Sequence, residues 1–234
     1  MTFFVASDIH SFFNEFIAAL KAKGYDENNK DHYLIVLGDY FDRGKQPVEV
    51  LNFFKNRERC ILIKGNHEQL FLDALDRGYF LGHDYHNGTA ETITIFKEQK
   101  KIKEVREFIG TLTPYFETKN YIFVHTWIPL NRNGEYYSNW RKASFVSWNQ
   151  AMWNNPFLFG LSGLNKTGKT IVFGHWHTSW YRNKIDPEKD PNDPANFGIV
   201  ENKEKKFIGI DACTAYTKKC NILVINDDFL EGTR

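Results

Sequence analysis

Along this chain, one short run of apolar, β-branched or aromatic residues after another stops at an Asp, His or Asn. The runs cover residues 3–6, 33–37, 60–63, 121–124, 170–173 and 207–210, with a last one at 222–225. Segments of this length and composition read as buried strands. Directly after them come Asp8 and His10, then Gly38-Asp39, then Gly65-Asn66-His67, then His125, then Gly174-His175 and His177, then Asp211. Between the early runs lie helical patterns at 14–23, 47–55 and 68–77, and Gly24 and Gly78 stand where helices stop. Strand–helix alternation predicts an α/β fold with a parallel-leaning sheet. In open α/β sheets the loops at the carboxyl ends of strands converge on the site, so the polar residues above are expected to meet.

The second half is richer in strand-like runs and irregular segments. Residues 79–88 read as a loop, 89–109 as one helical pattern, and 183–196, punctuated by Pro187, Pro191 and Pro194, as a surface loop. A length of 234 residues, without an internal repeat, suits one domain over 1–234, and 42% hydrophobic content supplies a sizeable core. With a formal net charge of +1, no global field draws nucleic acid or an anionic membrane. An anionic substrate must then be held locally. The basic run at 97–106 is interrupted by Glu98 and Glu104 and reads as a solvated helix face. Cys60, Cys213 and Cys220 make no CxxC pair, which points to a reducing compartment, with the cytoplasm as the expected location. The opening MTFFVASDIH lacks a basic stretch and its apolar run ends at Asp8, so neither signal peptide nor membrane span is expected there.

Each polar element alone has a structural explanation. An Asp after a strand commonly serves a turn or caps a helix, a lone His125 is more often structural than ligating, and Gly-Asn-His-Glu could be a turn and a helix start. Gly-His-x-His is more telling, because two imidazoles two residues apart at a strand end can face neighbouring ions. Their occurrence together, in order, at successive strand ends argues for one site. His32, His83 and His86 lie outside this pattern and read as surface residues.

Asp8-x-His10, GDYFDRG at 38–44, GNHE at 65–68, VHTWIP at 124–129 and GHWH at 174–177 together resemble the calcineurin-like metallophosphoesterases. GDYFDRG and VHTWIP are most similar to the branch with serine/threonine protein phosphatases and bacterial diadenosine tetraphosphatases. The resemblance runs from about residue 2 to residue 225. It implies two packed mixed β-sheets flanked by helices and two divalent metal ions at one edge. Asp8, His10 and His177 would hold one ion, Asn66, His125 and His175 the other, and Asp39 would bridge them. Carboxylate and amide oxygens with imidazole and no thiolate suit Mn²⁺, the expected metal, with Fe, Zn²⁺ or Ni²⁺ as alternatives. The resemblance further implies direct attack by a metal-bridging hydroxide. Arg43, with Asn66 and His67, would bind the phosphate; His67 would protonate the leaving oxygen, Asp42 would orient it, and Asp211 would support a ligating histidine.

The chain departs from that branch in three places. It has both His175 and His177 in the last histidine motif, Ala212-Cys213 after Asp211, and Asn154-Asn155 where the branch often has an arginine, for which Arg141 is a candidate replacement. The preferred substrate is a phosphate monoester, on a protein or a small molecule. A dinucleoside polyphosphate or phosphodiester is the alternative, with Trp127, Trp176, Trp180 or Tyr181 available to stack a base. A binding protein on a degenerate version of the fold is disfavoured, because no ligand position is lost.

Overall fold

Alternation along the strands decides the layering. In the computed structural model, which describes residues 1–230, β1 (Thr2–Ala6) turns Phe3 and Val5 to one face and Phe4 and Ala6 to the other, all buried. The chain continues through α1 (Phe13–Ala22), β2 (His32–Val36), α2 (Pro47–Phe54), β3 (Cys60–Leu62) and α3 (Asn66–Arg77). Next come α4 (Gly82–His86), α5 (Thr89–Glu98), α6 (Ile102–Gly110), β4 (Tyr115–Glu117) and β5 (Tyr121–Val124). It closes with α7 (Phe145–Ala151), α8 (Pro156–Leu161), β6 (Thr170–Phe173), α9 (Thr178–Ile185), β7 (Val200–Asn202), β8 (Phe207–Gly209), α10 (Thr214–Thr217) and β9 (Leu223–Asn226).

Two mixed sheets result, ordered β3-β2-β1-β9 and β4-β5-β6-β8-β7. In the first, β1, β2 and β3 run parallel and β9 pairs antiparallel to β1, from Thr2 opposite Asn226 to Val5 opposite Leu223. In the second, β5, β6 and β8 are parallel, with β4 and β7 antiparallel at the edges. Phe3, Val5, Ile35 and Leu37 pack against Phe123, Val172, Ile208 and Ile210 between the sheets. The outer face of the first sheet is covered by α1, α2, α3, α5 and α6 through residues such as Phe16, Leu51, Phe71, Phe96 and Phe108. The outer face of the second is covered by an aromatic layer that includes Trp127, Trp140, Trp148, Phe157 and Tyr181. This is the expected architecture of two packed mixed sheets flanked by helices, and it brings the carboxyl ends of β1, β2, β3, β5, β6 and β8 to one edge.

Local expectations need correction in three places. Residues 79–88 contain the short helix α4, because the Asp84 carboxylate accepts the Leu81 N–H at 2.6 Å and also holds Arg77. The helical pattern at 89–109 is two helices, broken where Lys100 takes a left-handed φ of 55° and the Lys101 N–H reaches back to Phe96 O. The segment 183–196 keeps α9 helical to Ile185 and ends in a 3₁₀ turn at Pro194–Phe197. His83 and His86 are exposed as expected, whereas His32 opens β2 and packs its ring on Phe4 at 4.8 Å. Among the described residues, no helix is long and apolar enough to cross a membrane.

Arg141 does not reach the strand-end cleft. It grips the buried Glu117 of β4 in bidentate fashion, Nε to Oε1 at 2.5 Å and Nη2 to Oε2 at 2.8 Å, and covers the Trp140 ring at 4.3 Å. Lys169 donates to the same carboxylate at 3.0 Å. Burial on its own would raise the Glu117 carboxyl, but the hydrogen bonds from Arg141 and Lys169 leave it below the ordinary carboxylate range. The stabilisation is therefore fully present above the unfolded pKa of about 4.3. It is lost as pH falls through the lower folded value. Glu117→Gln should cost about 1–3 kcal/mol at neutral pH. Urea titrations should show the gap from wild type closing as the pH is lowered through the carboxylate range, and a gap independent of pH would refute the assignment.

Candidate metal centre

The strand ends reach the cleft through turns that L-residues adopt at a cost. Asp8, His10, Ser11, Asp39, Asp42, Arg43 and His175 all have φ between 49° and 70°, and left-handed backbone costs about 1–2 kcal/mol per non-glycine residue. A buried carboxylate ties together the turns after β2 and β3. Glu68 accepts the N–H groups of Asp39 and Gly65 on Oε2 and that of Tyr40 on Oε1, each at 2.9 Å. Asp39 Oδ1 in turn accepts the His67 N–H at 3.1 Å. Gly38, at φ 95°, lets the two turns touch, since a Cβ there would lie 2.5 Å from the Gly65 nitrogen.

Hydrogen bonds fix which ring nitrogens are bare. His125 Nδ1 lies 2.6 Å from Leu37 O, which can only accept, so Nδ1 carries the proton and Nε2 keeps its lone pair. That Nε2 faces Asn66 Oδ1 at 2.8 Å, His175 Nδ1 at 3.2 Å and Asp39 Oδ1 at 3.4 Å. Acceptors gathered on acceptors repel unless a cation lies among them. Ligands about 2.1 Å from a tetrahedral metal would stand about 3.4 Å apart, which is close to this spacing. His10 is arranged the same way, with Nδ1 on Phe41 O at 3.0 Å and Nε2 3.8 Å from Asp39 Oδ2.

Charge makes the same demand. Asp8, Asp39, Asp42, Glu68 and Asp211 are all buried, and Arg43 is the one permanent cation lining their cleft among the described residues. Burial pushes Asp39 well above the usual carboxylate range; the His67 ring opposes the rise, and Asp8 and Glu68 add to it. Asp211 is raised by burial and then by Asp8. Burial lowers His10 and His175, with the neighbouring imidazoles of His67 and His125 adding to the effect, so these rings stay neutral and able to ligate. The donor set therefore fits divalent ions.

Among the described residues, two donor groups are close enough to hold an ion, Asp39 with His125 and His175, and Asp39 with His10 and His67. Both share Asp39. The first matches one predicted set, with Asn66 alongside. The second differs from the other predicted set. Asp8 and His177 line the same cleft, but Asp8 Oδ2 is engaged by the Ser7 hydroxyl and by the His175 N–H at 2.9 Å. His177 is half-exposed, with Nε2 3.9 Å from Asp211 Oδ2. His67 stands nearer, its Nε2 3.9 Å from Asp39 Oδ2 and 3.3 Å from Arg43 Nη2. His67 Nδ1 is 2.7 Å from Asp42 Oδ2, which also accepts the Thr89 hydroxyl at 2.6 Å.

The cleft holds about 290 Å³, and Leu70, Asn87, Trp153, Trp176 and Cys213 complete its wall. Of the aromatic residues expected to line it, Trp127 and Tyr181 are instead buried in the layer outside the second sheet, and Trp180 packs on Phe157. Glu68, Thr89 and Trp153 are additions that the sequence reading passed over. Glu68 had a visible signal, since an acid three residues after Gly65 occupies the N3 position that reaches back over a helix start. Thr89 and Trp153 had none, because their neighbours come from distant segments.

Among solved structures, the chain is similar to a cold-active protein-tyrosine phosphatase of a psychrophilic Shewanella species. The TM-score is 0.63 at 17% identity, over 96% of this chain and 75% of that one. It is also similar to a protein serine/threonine phosphatase from Saccharomyces cerevisiae, with a TM-score of 0.58 at 12% identity, over 99% of this chain and 81% of that one. At such identities the likeness is one of fold. The sequence model of the calcineurin-like phosphoesterases matches residues 1–204. Covering the β1, β2, β3, β5 and β6 ends that build the cleft, this match means that the chain belongs to the calcineurin-like phosphoesterases, metal-dependent hydrolases of phosphoester bonds.

Proposed function

We propose that the chain is a phosphate monoesterase, acting as one domain with two divalent ions, Mn²⁺ foremost, in the reducing cytoplasm. The observation that carries this reading is the set of lone pairs from His125, Asn66, His175 and Asp39 facing one another, with His10 Nε2 turned to the other oxygen of Asp39. Asn66, His125 and His175 would hold one ion, and Asp8, His10 and His177 the other, with Asp39 serving both. When bound, such ions supply Lewis acidity at the phosphoryl group and make water nucleophilic near neutral pH. Three free cysteines support the reducing setting.

The chain's own groups do the rest. Arg43 presents two N–H groups in a plane that matches two phosphate oxygens. In the free cleft its Nη2 donates toward His67 Nε2, a contact that a protonated ring would repel. Phosphate drawing the guanidinium away leaves Nε2 free to carry a proton. Asp42 holds Nδ1–H of the same ring and fixes its plane, so Nε2 is the atom that delivers the proton to the leaving oxygen. With Arg141 committed to Glu117, Arg43 matches a single dianionic phosphoryl group, and among the described residues a polyphosphate chain would find no further guanidinium in the cleft.

Chelation should abolish hydrolysis of p-nitrophenyl phosphate and Mn²⁺ should restore it, with bis-p-nitrophenyl phosphate and diadenosine tetraphosphate turned over more slowly. Elemental analysis should find two ions per chain, and Asp39→Asn should lose both metal and turnover. Full activity in Asp39→Asn would sink the proposal, and a dominant rate on diadenosine tetraphosphate would move the reading to dinucleotides. His67→Asn should keep its metal and lose roughly 10²–10⁴ in kcat on alkyl phosphates, with a smaller loss on p-nitrophenyl phosphate. Loss of metal in that variant would make His67 a ligand instead of the acid.

A further inference from the structure

We infer that Trp153 selects the leaving group, offering its indole face to a planar aromatic alcohol esterified to the phosphate. The inference rests on the monoesterase reading for where the phosphate sits. The chain has six tryptophans, and five pack on another aromatic ring: Trp127 on Phe173 at 5.9 Å, Trp140 on Trp148 at 6.0 Å, Trp176 on Trp180 at 6.2 Å, and Trp180 also on Phe157 at 6.1 Å. Trp153 alone has no ring partner among the described residues, is 50% exposed, and lines the same cleft as Arg43 and His67.

Its mount is nevertheless fixed. The Trp153 N–H donates to Gln150 O at 3.2 Å in the last turn of α7, and the carbonyl of Ala151 accepts the hydroxyl of Thr126, the neighbour of His125. Trp148, Ala151 and Met152, just before it in the chain, are buried. The backbone that carries the indole is thus tied to the segment of a candidate metal ligand, His125, while the side chain is half-exposed at the cleft wall. An aromatic ring gains offset stacking there beyond what its buried area gives, and a puckered ring of equal bulk gains only the area.

The test is calorimetric titration of the Mn²⁺-loaded full chain with benzylphosphonate, cyclohexylmethylphosphonate and inorganic phosphate. Wild type should bind the benzyl compound about tenfold more tightly than the cyclohexyl one, in keeping with the worth of one stacked pair. Trp153→Ala should lose that preference while keeping its affinity for inorganic phosphate, and Trp153→Phe should retain most of it. In turnover, Trp153→Ala should raise KM for phenyl phosphate by a larger factor than for an alkyl phosphate of matched leaving-group acidity. Equal losses for both phosphonates in Trp153→Ala, or an unchanged preference, would overturn the inference. If neither phosphonate binds wild type the inference also falls, and binding of inorganic phosphate then decides whether the monoesterase reading falls with it.

Discussion

The Glu68 carboxylate, fully buried at the first turn of α3, accepts N–H groups from two different strand-to-helix connections, Asp39 and Tyr40 after β2 and Gly65 after β3. Three charge-assisted hydrogen bonds of this kind are each worth more than a neutral one, and a buried carboxylate without them would be costly. The constraint fixes Asp39 relative to Asn66 and His67, and through Asp39 it fixes both donor groups. From the second sheet, His125 is added by its own bond to Leu37 O, one residue beyond β2. The cleft is therefore one hydrogen-bonded object that spans the two sheets.

That object carries strain. Left-handed backbone at Asp8, His10, Asp39, Asp42, Arg43 and His175 concentrates unfavourable torsions where the chemistry lies, while the strands behind them are regular and buried. The layer between the sheets, from Phe3 and Ile35 to Phe123 and Val172, supplies rigidity against which such turns can be held. Residues with poorer support sit at the rim. His177 is half-exposed and Trp153 more so, and these are positions that can adjust to an incoming group.

Much of this was legible in the sequence, for physical reasons that differ by residue. The strands β1, β2, β5 and β6 announce themselves because both of their faces are buried, which demands continuous apolar runs. The edge strands β4 and β7, three residues each, carry too few side chains for a period to emerge. The break at Lys100 was hidden because a lysine in a left-handed turn looks like any lysine on a helix. Asp39, Asn66, His125 and His175 were legible as a set through their strand-end positions and the family resemblance, and Asp39, His125 and His175 do meet. Arg141, a candidate for the arginine missing at 154–155, is bound elsewhere, and nothing local reveals its partner Glu117, 24 residues earlier. Trp153 was passed over because exposure toward a cleft is a tertiary property.

The antiparallel pairing of β9 with β1 has a consequence for how the molecule comes into being. On the ribosome, Thr2–Ala6 emerges ahead of β2 and pairs with it early, but its other edge stays open until residues 223–226 have been made. Until then the nascent chain exposes an unpaired row of backbone groups beside Phe3 and Val5, which is a template for pairing with another chain. The described residues that line the cleft lie at or before Cys213, so the cleft can assemble before that edge is sealed.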